Sequence, residues 1–138
     1  MPSPTRLALL GKGISHSKSP EIYRRLLGPE LHYDLLDVTD ETLLPTTETL
    51  AQIYQGLNIT TPWKKVFAGL AVKEVAHLGA VNCVRLSPPF AATNTDWTAL
   101  KGLIPEMLQR HACEGGLVLL GNGVMASLVK DLALRLSI

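Results

Sequence analysis

Cysteine is nearly missing from this chain. The two that occur, Cys83 and Cys113, are far apart and form no C-x-x-C pair or Cys/His ligand spacing. The sequence therefore supports neither a disulfide framework nor a metal site. An excess of one charge is missing as well: thirteen Lys and Arg stand against twelve Asp and Glu, with no basic stripe. That balance excludes nucleic acid as the expected partner. Long apolar runs are also lacking. Leu7-Ala8-Leu9-Leu10 reaches Gly11 too soon for a signal peptide, and no segment approaches a membrane span. A cytoplasmic, reduced protein without a membrane partner is the expectation.

What is present is an apolar fraction of 46% in 138 residues, enough for a packed core of one domain and little more. Arg6 to Gly11 reads as a short buried strand. A Gly/Ser loop follows, then a helix opening near Ser19-Pro20, with serine as its cap, and ending at Gly28-Pro29. His32 to Val38 reads as a second strand, Thr39 to Gln55 as a helical stretch broken by Pro45, and Gly56 to Ile59 as a third strand. Thr60-Thr61-Pro62 is expected to cap a helix through Ala68, with Lys64 in its first turn. Val81 to Leu86 and Phe90 to Thr93 form a hairpin pair around Ser87-Pro88-Pro89, and Asp96 opens a helix to about Arg110.

After Glu114-Gly115-Gly116 the pattern begins afresh. Leu117-Val118-Leu119-Leu120 reads as a strand covered on both faces, and a helical pattern runs to Leu136. Between them, Gly121-Asn122-Gly123-Val124-Met125-Ala126 has the G-x-G-x-x-A form that holds a pyrophosphate at a helix N-terminus. A dinucleotide fold needs further parallel strands, and a ribose-reading residue about 20 positions after the glycines. The sequence reads as the first βα unit of such a domain, either as a fragment or with that unit packed differently.

Four polar clusters fall where strand-like runs end: Ser17-Lys18-Ser19-Pro20, Asn58-Ile59-Thr60-Thr61-Pro62-Trp63-Lys64, Gly79-Ala80-Val81-Asn82 and Asn94-Thr95-Asp96. Open α/β sheets place ligand groups at such ends, so the clusters point to one shared pocket. Serine hydroxyls and main-chain N–H groups at a helix start suit a carboxylate, asparagine amides suit sugar-like hydroxyls, and a lysine beside an aspartate can move a proton. The inventory fits a polyhydroxylated acid.

In order and spacing these clusters resemble the shikimate dehydrogenases, whose pattern runs H-S-x-S-P, G-x-N-V-T-x-P-x-K, G-A-x-N-T and N-T-D. The resemblance spans about residues 7 to 136. It implies an α/β fold in which a mixed-sheet, three-layer substrate-binding domain (residues 1–114) is followed by the start of a Rossmann-type NADP-binding domain (residues 115–138). It implies reversible, NADPH-dependent reduction of 3-dehydroshikimate to shikimate, a step of aromatic amino-acid synthesis. Lys64 and Asp96 match the catalytic acid/base pair. Ser17 and Ser19 match carboxylate-binding serines, and Asn58, Thr60, Asn82 and Asp96 match contacts to the ring hydroxyls. Gly121 to Ala126 would hold the cofactor, and a homodimer is left open.

Each residue has an ordinary alternative: a solvated helix lysine, an N-cap, a turn asparagine. Outside His16, which lies in the serine motif, the histidines lack partner spacing, and Tyr23 and Trp63 suit core packing. Tyr23-Arg24 stands where the family usually has His-Asn, Cys83 where it has threonine, and Ala99 where glycine is common; Val124 adds bulk to the glycine turn. The family's segment for the 2′-phosphate has no counterpart before Ile138. Weak shikimate binding with little turnover is therefore expected of the 138-residue chain alone. A non-catalytic shikimate- or quinate-binding module and a quinate-preferring relative are the competing readings.

Overall fold

A computed structural model describes residues 4–111 and 117–138. The expected break at Glu114-Gly115-Gly116, and Cys113 beside it, lie outside the described residues. By its contacts the chain divides into two units, one up to Thr93 and one from Asn94.

The first unit is built on five strands: β1 (Arg6–Gly11), β2 (His32–Asp37), β3 (Gly56–Ile59), β4 (Cys83–Arg85) and β5 (Ala91–Thr93). Their order in the sheet is β2-β1-β3-β4-β5. β1 runs parallel to β2 and β3, whereas β4 and β5 continue antiparallel, so the sheet is mixed as expected. β1 is central among the parallel strands and apolar on both faces, as a strand covered on both sides must be. Its Ala8 and Leu10 enter a core with Leu50, Leu57, Ile59, Trp63, Phe67 and Val84. Its Leu9, pointing the other way, packs with Ile14, Leu31 and Tyr33.

Two helical layers cover these faces. On the Leu9 side lies α1 (Ser19–Leu27), whose Tyr23 packs against that cluster. On the Leu10 side lies α2 (Thr47–Ala51), which buries Leu50 and is capped by Thr46 accepting the Thr49 N–H at 3.2 Å. Pro45 separates α2 from a preceding 3₁₀ turn at Glu41–Leu43, the break anticipated from the sequence.

Two local expectations are corrected. Lys18, not Ser19, occupies the cap position of α1 and makes no side-chain cap; Ser19 is already helical, with Pro20 in the first turn. No α-helix forms from Trp63 to Ala68. The segment folds instead as 3₁₀ turns at Trp63–Lys65 and Ala68–Leu70. The reason is a competing hydrogen bond: the Lys64 carbonyl, which an α-helix would offer to residue 68, accepts the Val81 N–H at 2.7 Å. Trp63 and Phe67 are nevertheless both buried, each contributing roughly 2–3 kcal/mol of apolar burial. The indole N–H of Trp63 donates to the Val38 carbonyl at 3.1 Å.

The second unit contains α3 (Thr95–His111), with Pro105 inside it, and α4 (Val124–Leu136). Asn94 caps α3: its Oδ1 accepts the Trp97 N–H at 3.1 Å, and the side chain is fully buried. The Trp97 indole donates to Asp131 of α4 at 3.2 Å, and Arg135 binds the same oxygen at 2.8 Å. The expected strand at Leu117–Leu120 is not formed. The segment has no ladder partner among the described residues, and its Val118 and Leu120 are 87% and 91% exposed. An apolar run becomes a strand only when another edge satisfies its backbone. No helix among the described residues is long and apolar enough to cross a membrane.

Candidate functional site

Strand direction gathers the polar residues of the first unit. β1, β2 and β3 all point the same way, so Gly11, Asp37 and Ile59 end at one edge of the sheet. β4 is antiparallel to β3, and its first residue, Cys83, pairs with Asn58. Thr93, the last residue of β5, also pairs with Cys83, so the chain leaves the sheet at that same edge. Ser17, Ser19, Asn58, Thr60, Lys64 and Asn82 belong to the loops and strand ends there, and all are half-buried.

Backbone hydrogen bonds sew these loops together. The Thr60 N–H donates to the Leu10 carbonyl at 2.9 Å, and the Lys12 N–H to the Thr61 carbonyl at 3.2 Å. Asn82 donates its N–H to the Thr93 carbonyl at 3.0 Å and its own carbonyl accepts the Ile59 N–H at 2.8 Å. With Val81 bound to the Lys64 carbonyl, the backbone positions of Lys64 and Asn82 are fixed to each other. Lys65, by contrast, is exposed.

The serine loop is held from β2. Asp37 accepts the Gly13 N–H at 2.8 Å with one carboxylate oxygen and the Ile14 N–H at 3.1 Å with the other. Gly13 has φ of 66°, a left-handed conformation that suits glycine. Within the loop, the Ser17 hydroxyl donates to the Ser19 hydroxyl at 3.1 Å and accepts the Ser19 N–H at 3.2 Å. Gly11 makes this packing possible, since a Cβ there would sit 2.5 Å from the Thr60 methyl and 2.6 Å from the Ile14 Cγ2.

Two contributors escaped the sequence reading. Asp37 looked like an ordinary strand end, although a carboxylate opposite a Gly-rich loop was a usable signal. Tyr33 was read only as a strand residue. Its hydroxyl donates to Asn58 Oδ1 at 2.8 Å, and its ring stacks on Tyr23 at 4.8 Å between centroids. Burial above all, then the neighbouring Tyr23, raises the Tyr33 phenol above the ordinary tyrosine range, while the nearby Ser19 side chain opposes the shift. Burial likewise pushes the Cys83 thiol up, so the residue standing in the threonine position is held as a neutral thiol.

In the second unit, Asp96 is half-buried in the first turn of α3, where a negative charge complements the helix dipole. The glycine turn leads into α4 as expected. Gly121 has φ of 126°, open to glycine alone among common residues, and Gly123 caps the helix without a side-chain hydrogen bond. Gly121, Asn122, Ala126, Ser127 and Lys130 line a hollow of about 230 Å³ together with Leu119. Val124 is half-buried and Met125 is 46% exposed. A helix start without a side-chain cap, a glycine turn and a lysine are the parts a phosphate group requires, and Lys130 was not singled out from the sequence.

Together the mixed sheet and the gathered loops define an α/β domain, followed in the chain by a glycine turn that leads into α4. Comparison with known proteins makes this specific. The sequence profile of the family described as "Shikimate dehydrogenase substrate binding domain" matches residues 9–84, and the chain belongs to the shikimate dehydrogenase family. It is 34% identical over 84% of its length to a shikimate dehydrogenase (NADP(+)) from Halorhodospira halophila, and covers 46% of that protein. It is 33% identical over 89% of its length to one from Prochlorococcus marinus, covering 45%. The chain thus spans less than half the length of these relatives. Among solved structures, shikimate 5-dehydrogenase of Thermus thermophilus, in complex with NADP(H) and shikimate, aligns with a TM-score of 0.74 and 27% identity. That alignment covers 96% of this chain and 52% of the other.

Proposed function

We propose that this chain is the shikimate-binding domain, residues 1–114, and the first unit of the NADP-binding domain, residues 115–138, of an oxidoreductase that interconverts 3-dehydroshikimate and shikimate. The observation that carries the reading is the gathering of Ser17, Ser19, Asn58, Thr60, Lys64 and Asn82 at one edge of the sheet, with Lys64 and Asn82 sewn together by backbone bonds. The NADP-specific relatives and the Thermus thermophilus complex support the choice of cofactor and ligand.

In this reading the Ser17 and Ser19 hydroxyls turn outward to bind the ring carboxylate, and Asn58, Thr60 and Asn82 bind ring hydroxyls. The ammonium of Lys64 donates a proton to the carbonyl oxygen as it gains negative charge, and recovers it when the alcohol is oxidised. By the family resemblance, Asp96 is the second member of the acid/base pair. Gly121, Asn122, Gly123, Val124, Met125 and Ala126, together with Lys130, would hold NADPH, which would supply the hydride. The exposed glycine turn fits such a group because nothing crowds a Cβ position at Gly123.

The test is NADP⁺-dependent oxidation of shikimate by the native gene product, followed by nicotinamide absorbance. Lys64→Ala is expected to lower turnover by orders of magnitude while shikimate still binds. A wild-type protein that binds shikimate without turnover would favour the binding-module reading instead. Faster turnover on quinate would move the substrate assignment.

A further inference from the structure

A buried hydroxyl of β2 reaches a site residue near the end of β3. Tyr33 has one proton to give, and it goes to Asn58 Oδ1 at 2.8 Å. Ser17 donates to Ser19 at 3.1 Å. Ser17 and Ser19 are thus paired within the loop after β1, and the Tyr33 hydroxyl ties β2 to the end of β3.

We infer that Tyr33 is a positioning residue of the ligand site: by occupying the oxygen of Asn58, it presents the Asn58 amide N–H₂ group to the ligand as a fixed donor. A carboxamide is ambiguous, able to donate from one arm and accept on the other, and only a partner resolves which arm faces outward. Tyr33 is well suited to resolve it. It is 3% exposed, packs with Leu9 and Ile14, and is braced by stacking on Tyr23, so its hydroxyl has little freedom to follow a turning amide.

The consequence is a rule for the ligand. The group opposite Asn58 must offer a lone pair, as a ring hydroxyl or ether oxygen does and an ammonium does not. A ligand carboxylate that turns Ser19 outward leaves the bond that Tyr33 donates, so the orientation of Asn58 survives occupation of the serine loop.

This inference rests on the proposed shikimate site, and its test separates the two. Binding of shikimate and of cyclohex-1-enecarboxylate, which keeps the ring and carboxylate but has no hydroxyls, is measured for the wild-type chain and for Tyr33→Phe by NMR titration. Phenylalanine keeps the stacked ring and removes only the hydroxyl. The variant is expected to lose about 3- to 10-fold in shikimate affinity, the usual worth of one hydrogen bond. Affinity for cyclohex-1-enecarboxylate should stay within about twofold, so that the ratio between the two ligands falls. A general structural defect would weaken both alike and leave the ratio unchanged, which would overturn the inference alone. In Asn58→Ala, adding Tyr33→Phe should change the ratio no further; a second, additive loss would also overturn it. If the wild-type chain binds no shikimate, the site assignment fails and the inference falls with it.

Discussion

Asp37, the last residue of β2, holds Gly13 of the neighbouring loop by a hydrogen bond of 2.8 Å to its backbone N–H, while its second oxygen takes the N–H of Ile14 at 3.1 Å. A carboxylate accepts at both oxygens, which a carboxamide cannot do. Asp37→Asn is therefore expected to lose one of the two bonds and destabilise the fold by about 1–3 kcal/mol, since a donor is left facing a donor. Urea unfolding would measure the loss. Shikimate affinity should fall as well, because the serines ride on this loop; a variant with unchanged unfolding and binding would contradict the role given to Asp37.

Gly11 is the point where that loop approaches β3. A Cβ there meets the Thr60 and Ile14 methyl groups at 2.5 and 2.6 Å, so Gly11→Ala should cost about 1–3 kcal/mol by overpacking. Because Thr60 is one of the groups pushed, shikimate binding should weaken together with stability. Thermal unfolding and titration of the same variant would show whether both move.

How far this site could be read from sequence depended on the range of the contacts involved. The five strands of the sheet, the break at Pro45 and the glycine turn before α4 are written in local periodicity and turn residues, and the structure keeps them. The helix expected from Trp63 to Ala68 failed because Val81, distant in sequence, takes the Lys64 carbonyl. The strand expected at Leu117–Leu120 failed because apolarity alone provides no pairing edge. Asn94, not Asp96, caps α3, a choice between neighbours that composition could not make. The proposed site residues stand out in the sequence because their order matches a family pattern. Their supports, Asp37 and Tyr33, do not, since each acts across strands.

Alkaline pH should expose Tyr33 as a stability element. Its folded pKa is raised by burial, so above the unfolded tyrosine value of about 10 the folded state binds more protons than the unfolded state. The sign follows directly: its contribution is fully present below that value, and stability is lost as pH rises beyond it. Tyr54 is shifted the same way, by burial first and then by its bond to Asp34, so the informative quantity is the difference between wild type and Tyr33→Phe. Urea midpoints measured from about pH 8 to 11, a range bracketing the unfolded tyrosine value, should fall more steeply for the wild type. Parallel curves would show that the phenol is not held by the fold as described.

The central proposal is that the loops carrying Ser17, Ser19 and Lys64 serve one ligand, to which the family resemblance adds Asp96. The most direct measurement is a shikimate titration of the isotope-labelled chain, following assigned backbone amides. The account predicts that Ser17, Ser19, Asn58, Thr60, Lys64, Asn82 and Asp96 all respond, and that they saturate along a single curve. Shifts that spare either Lys64 or Asp96, or that saturate at different concentrations for the two, would contradict it.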